Sequence, residues 1–135
     1  MRFMVIVKSG GDCASAAAPG SQFIADMQKF NKELNDAGVL LALEGLHPAA
    51  QSMRIRAAAG KWTVSDGPFA ETKEMIGGFW IWQVNSQEEA LEWVKRCPIS
   101  AHAESEIELR QVLDVDDFAA RIAPEFVERT RYVAA

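Results

Sequence analysis

Two cysteines and two histidines in 135 residues leave little material for metal or redox chemistry. Cys13 and Cys97 lie far apart with no C-x-x-C spacing, and there is no H-x-x-x-H pair, so no zinc site is expected. The thiols read as reduced cysteines of a cytoplasmic protein. Basic residues are also scarce: 14 Lys and Arg stand against 19 Asp and Glu, for a net charge of −5. No basic run or basic helix face offsets that balance, which argues against nucleic acid as a partner. No stretch approaches the roughly 20 apolar residues of a membrane span. Met1-Arg2-Phe3-Met4-Val5-Ile6-Val7 is too short for the apolar core of a secretory leader and reads as a buried strand. The chain lacks a G-x-x-x-x-G-K-[ST] phosphate loop, a G-x-G-x-x-G turn and a G-x-S-x-G elbow. ATP, NAD and hydrolase chemistry lose most of their support, and no cofactor is expected.

What is present describes one globular domain, with 49% hydrophobic and 24% charged residues. Residues 2–8 are apolar on both strand faces, as in a strand covered on both sides. Phe23, Met27, Phe30, Leu34 and Ala37 recur at helical spacing, Ser21 can cap that helix, and Gly38 ends it. Val39 to Leu46 reads as a second strand inside the sheet. His47-Pro48 turns the chain, and Met53 to Ala57 alternates apolar with basic, as in a half-exposed strand. Trp62 to Ser65 returns, and Phe79 to Val84 is a strongly buried strand. Ser86 and Glu89 form a capping box for a helix that Pro98 terminates. Glu106 to Val112 makes a fourth main strand. Asp114 then opens a helical tail.

The order β-α-β-hairpin-β-α-β fits an α+β, ferredoxin-like split-βαβ sandwich with an added hairpin. Residues 1–113 form that domain and 114–135 a C-terminal helical extension. Both helices then cover one sheet face, and the other face, with Met4 and Ile6, needs a cover of its own. A homodimer through the open face supplies it and leaves a cavity between two sheets.

Strand 39–46 ends at His47, and two reversals bring Asp66 back to the same end of the sheet. A His beside an Asp has its tautomer fixed and suits acid–base work, so His47 and Asp66 are the catalytic candidates. Asp66-Gly67 is equally a favoured turn pair. Lys73 and Arg54 are candidates for holding a charged substrate. Trp80 and Trp82 share a strand face and are candidates for lining an apolar pocket, with core packing as the simpler use of both.

Val64-Ser65-Asp66-Gly67-Pro68-Phe69-Ala70-Glu71-Thr72-Lys73-Glu74, followed by Ile76-Gly77-Gly78-Phe79-Trp80, resembles the signature of the DGPF branch of the YCII-related family. Glu44-Gly45-Leu46-His47-Pro48 and Glu89-Ala90-Leu91-Glu92-Trp93 resemble it too, as does Glu106-Ile107-Glu108-Leu109-Arg110, so the likeness covers about residues 1–113. The resemblance implies a bacterial protein with a ferredoxin-like domain in a dimeric α/β-barrel assembly, and a cleft served by a His and an Asp. Asp66 matches the Asp, and His47 stands nearest the His; some branches carry that His in the first helical region, where this chain has none. The resemblance further implies a functional link to an extracytoplasmic-function sigma factor.

The expected function is binding of a small organic molecule near the Asp66–Lys73 loop, with cofactor-free isomerase or lyase chemistry. Two alternatives stand beside it. One is a non-catalytic dimeric ligand-binding or regulatory module. The other is a cofactor-free monooxygenase-like activity in a dry aromatic pocket.

Overall fold

The structure is a computed structural model that describes residues 1–8, 20–69, 75–102, 104–114 and 116–117. Its elements run β1 (Arg2–Lys8), α1 (Ser21–Asp36), β2 (Leu40–Gly45), β3 (Met53–Ala58), β4 (Lys61–Asp66), β5 (Ile76–Gln83), α2 (Gln87–Lys95) and β6 (Glu106–Gln111). Short 3-10 turns occupy Ala49–Gln51 and Pro98–Ala101. β1, β2, β5 and β6 form an antiparallel sheet in the order β2-β5-β1-β6. With two helices between them, this order is compatible with the ferredoxin-like arrangement. Residues 116 and 117 are helical, and the rest of the expected tail from residue 118 lies outside the described residues.

Register and burial together sort the sheet into two faces. Phe3, Val5, Trp80 and Trp82 lie opposite one another and pack with Phe30 and Leu34 of α1 and Ala90 of α2. Phe30 meets both indoles edge-on, at 6.1 Å from Trp80 and 6.3 Å from Trp82. Burial of each such aromatic contributes roughly 2–3 kcal/mol, so the helices are held here. The alternate residues Met4, Ile6, Phe79 and Ile81 occupy the reverse face. Ile6 is buried, yet it belongs to no part of the helix-side core. Among the described residues, no helix packs on that face.

Local signals explain the ends of the elements. Ser86 Oγ accepts from the Glu89 amide at 3.1 Å, while the Glu89 carboxylate accepts from the Asn85 amide at 2.8 Å. The expected capping box is therefore formed, with its return bond one residue earlier than the Ser86 amide. Gly38 carries φ +73 after α1. Ser21 does not cap α1: it is the first helical residue, and Gly20 before it makes no side-chain cap bond. Cys97 is buried, and desolvation pushes its thiol pKa up, as expected of an inert core thiol. Cys13 lies outside the described residues.

Two expectations about strand placement change. β2 lies at a sheet edge, not inside it, and Leu41 and Leu43 are exposed there. β3 and β4 do not extend the sheet; they pair with each other as a separate two-stranded ribbon. The cause is local. Pro48 and the turn at Ala49–Gln51 redirect the chain after β2, so β3 departs instead of returning alongside it. Among the described residues, no helix is long and apolar enough to cross a membrane.

Candidate functional site

Two backbone hydrogen bonds organise the end of the sheet where β2 finishes and β5 begins. The Leu46 amide donates to Gly77 O at 3.0 Å, and the Gly67 amide donates to Ser52 O at 3.0 Å. Residues 46–52 are thus fastened at one end to Gly77 at the start of β5 and at the other to Gly67 just after β4. His47 lies inside this bridging segment. Asp66 immediately precedes the entrance bond.

Close backbone contact fixes the exit. Gly78 pairs with Gly45, and a Cβ built on Gly78 would stand 2.8 Å from the Glu44 carbonyl oxygen. Only a residue without a side chain admits β2 that near. The Gln51 amide closes the intervening turn on Pro48 O at 2.9 Å.

The entrance is shaped by the ribbon. Ala59 has φ 50 and Gly60 φ 74, two consecutive left-handed residues. This is the tight turn whose twist matches the strands on either side. Residues directly opposite share a face, so Met53, Ile55, Ala57, Trp62, Val64 and Asp66 lie on one side of the ribbon. Arg54, Arg56, Lys61, Thr63 and Ser65 lie on the other. The Arg54 guanidinium carbon stands 4.0 Å from the centroid of the Phe69 ring, a cation–π contact that holds the loop against the basic face. The Gly67–Pro68 peptide bond is cis.

His47 and Asp66 are both exposed and belong to the same cluster of segments. The ribbon, not a continuous sheet, brings them there. Arg54 projects from the opposite ribbon face to Asp66 and is engaged by Phe69. Lys73 lies outside the described residues. Trp80 and Trp82 are 2% and 0% exposed in the core beneath α1, apart from this cluster. Among the described residues, no three His, Cys, Asp or Glu side chains converge as a metal site requires.

The His–carboxylate hydrogen bond among the described residues is between His102 and Asp26, at 2.8 Å. Gln22 Nε2 also donates to Asp26 at 2.8 Å, and the Phe23 ring meets the imidazole edge-on with centroids 5.2 Å apart. The bonds from His102 and then Gln22 hold the Asp26 carboxyl below its ordinary value. This pair joins the Pro98–Ala101 turn to α1 on the helix side of the sheet. Sequence reading missed it because the partners stand 76 positions apart with no local pattern linking them. Only the i, i+3 spacing of Phe23 and Asp26 on one helix turn hints at a common partner.

Comparison with known proteins gives two findings. The YCII-related domain matches residues 1–116. Uncharacterized protein R00369 of Rhizobium meliloti (strain 1021) is 36% identical over 70 residues, which is 52% of this chain and 56% of that protein. The chain therefore spans little more than half the length of the curated relative it matches.

Proposed function

This chain belongs to the YCII-related family, and on that premise we propose that it binds a small organic molecule, as a homodimer, in a cleft beside the Asp66–Phe69 loop. His47 and Asp66 would there perform cofactor-free acid–base chemistry of the isomerisation or elimination type. The observation that carries this reading is the pair of backbone bonds that tie Leu46 to Gly77 and Ser52 to Gly67. They fasten the segment bearing His47 to the residues that follow Asp66, at an accessible end of the sheet. Asp66 orients the substrate or takes its proton, His47 shuttles that proton, and Lys73 meets the substrate's charge. Arg54 acts through Phe69 to keep the loop in place.

The test is a thermal-shift screen with a panel of small organic acids, repeated on His47→Ala and Asp66→Ala. Stabilisation of the parent protein that disappears in both variants is the expected result. Stabilisation that survives both changes would move the site elsewhere.

A second reading, a non-catalytic ligand-binding module, draws on the absence of a His47–Asp66 hydrogen bond among the described residues. Binding lost in Asp66→Ala but kept in His47→Ala, with no turnover of any stabilising acid, would favour it.

A further inference from the structure

The helix side of the sheet holds a second set of groups arranged for proton transfer. His102 Nε2 and Asp26 Oδ2 stand 2.8 Å apart, and the Asp26 carboxyl is held below its ordinary value. It is therefore ionised near neutrality and can only accept, so the proton between the two belongs to Nε2. Nδ1 keeps its lone pair and has no partner among the described residues. The imidazole side chain is 25% exposed and the carboxylate 35%, so a small solute reaches the ring while most of the pair stays covered.

Helix spacing supplies the neighbours. Gln22 lies one turn before Asp26 and donates to it at 2.8 Å. Phe23, three positions before Asp26, meets the imidazole edge-on with centroids 5.2 Å apart. Lys29, three positions after Asp26, is exposed on the same helix face and near enough to favour the ionised carboxylate. The Pro98–Ala101 turn brings no titratable side chain of its own. A base, a group that orients it, a cation and an apolar wall thus meet at one seam, the set that proton abstraction beside a carbonyl requires.

We infer that His102 is the base of a separate acid–base centre, which takes a proton from the carbon beside the carbonyl of a small keto acid. Asp26 is its positioning residue and fixes the tautomer and orientation of the ring. Nδ1 takes the proton, the C–H electron pair forms the new C=C bond, and the carbonyl π pair moves onto oxygen, where Lys29 meets the charge of the enolate. Return of the proton to the same carbon gives exchange, and nothing is oxidised or reduced. Phe23 offers an apolar flank to the substrate's side chain. This centre is not the cleft beside Asp66. His47 follows β2 and His102 precedes β6, the two outer strands of the sheet, which lie three strand spacings or about 14 Å apart.

Deuterium exchange into the substrate tests this. The full chain is incubated in heavy water with pyruvate, acetoacetate or phenylpyruvate, and loss of the C–H signal beside the carbonyl is followed by proton NMR. The expected result is exchange above the buffer rate for the parent and a loss of about 100-fold or more in His102→Ala, the usual worth of a positioned base. Free imidazole should restore part of the rate in His102→Ala, since a base is replaceable from solution and a lost clamp is not. Asp26→Asn should lower kcat with little change in KM, because the amide no longer fixes the tautomer. Near-UV circular dichroism from the core tryptophans reports whether each variant stays folded. No exchange by the parent with any of the three acids overturns the centre, as does a rate unchanged in His102→Ala. A rate that falls in His102→Ala together with its melting temperature, and that imidazole does not restore, shows a clamp alone and overturns it too.

Discussion

The indole N–H of Trp80 donates to Asn31 Oδ1 at 2.9 Å, tying the central strand of the sheet to the middle of α1. Trp80 is 2% exposed, so this donor has no access to solvent if the bond is lost. Asn31→Leu should therefore lower unfolding stability by about 1–3 kcal/mol, the range for orphaning a buried donor. Urea denaturation followed by circular dichroism measures it. In a Trp80→Phe background the same change should cost distinctly less, and equal costs in the two backgrounds would show that the bond is not the cause.

Gly78 offers a contrast with its pairing partner. A Cβ on Gly78 meets the Glu44 carbonyl oxygen at 2.8 Å, whereas one on Gly45 meets nothing within 4 Å. Gly78→Ala should cost about 1–3 kcal/mol through forced separation of β2 from β5, and Gly45→Ala should stay within about 0.5 kcal/mol of the parent. Thermal unfolding of the two variants side by side decides the point. Gly78→Ala should also weaken any ligand response at the 46–52 segment, because Gly77 accepts from Leu46 next to it.

Ala59 sits at φ 50, in a left-handed conformation that costs an L-residue with a Cβ about 1–2 kcal/mol. Asn tolerates it far better, and Asn-Gly is the favoured pair for this turn. Ala59→Asn should stabilise the ribbon. Slower amide exchange in residues 53–66, with no change in the four-stranded sheet, is the expected signature.

Acid should weaken the Asp26–His102 clamp. The folded-state pKa of Asp26 is depressed below its ordinary 3.8, so its contribution is present above about that pH and lost as pH falls through the lower folded value. The parent should therefore exceed Asp26→Asn in melting temperature near neutrality. That margin should shrink below about pH 4. A margin constant from pH 6 to the acid limit would show that the ionised carboxylate adds nothing.

Much of this fold was legible because local chemistry decided it. Apolar runs that occupy both strand faces marked β1 and β5, Ser86 and Glu89 marked the start of α2, and Pro98 marked its end. What failed depended on partners remote in sequence. β2 looked central because Leu40, Leu41, Ala42 and Leu43 are apolar on both faces, yet two of them are exposed at an edge. The pattern records that a side chain is apolar, not whether this protomer covers it. Likewise the ribbon alternates correctly, and only the structure shows it separate from the main sheet. Asp66 and His47 were placed near each other by counting reversals. The bonds to Ser52 and Gly77 that fasten their segments are backbone bonds, which no side-chain pattern encodes. His102 and Asp26 had no signal at all.

The bond from Gly67 to Ser52 carries one more consequence, for the design of the chain as a string of parts. It brings the two roots of the ribbon within a single hydrogen bond, 3.0 Å apart. Residues 53–66 are in that sense an insertion, leaving and re-entering the domain at one point. A linker of one or two residues from Ser52 to Gly67 could replace them without stretching the path from β2 to β5, and loop closure would cost little. The ribbon could thus be removed, lengthened or exchanged while the four-stranded sheet kept its topology. The Asp66–Phe69 motif stands at that graft junction, where the ribbon meets the four-stranded frame.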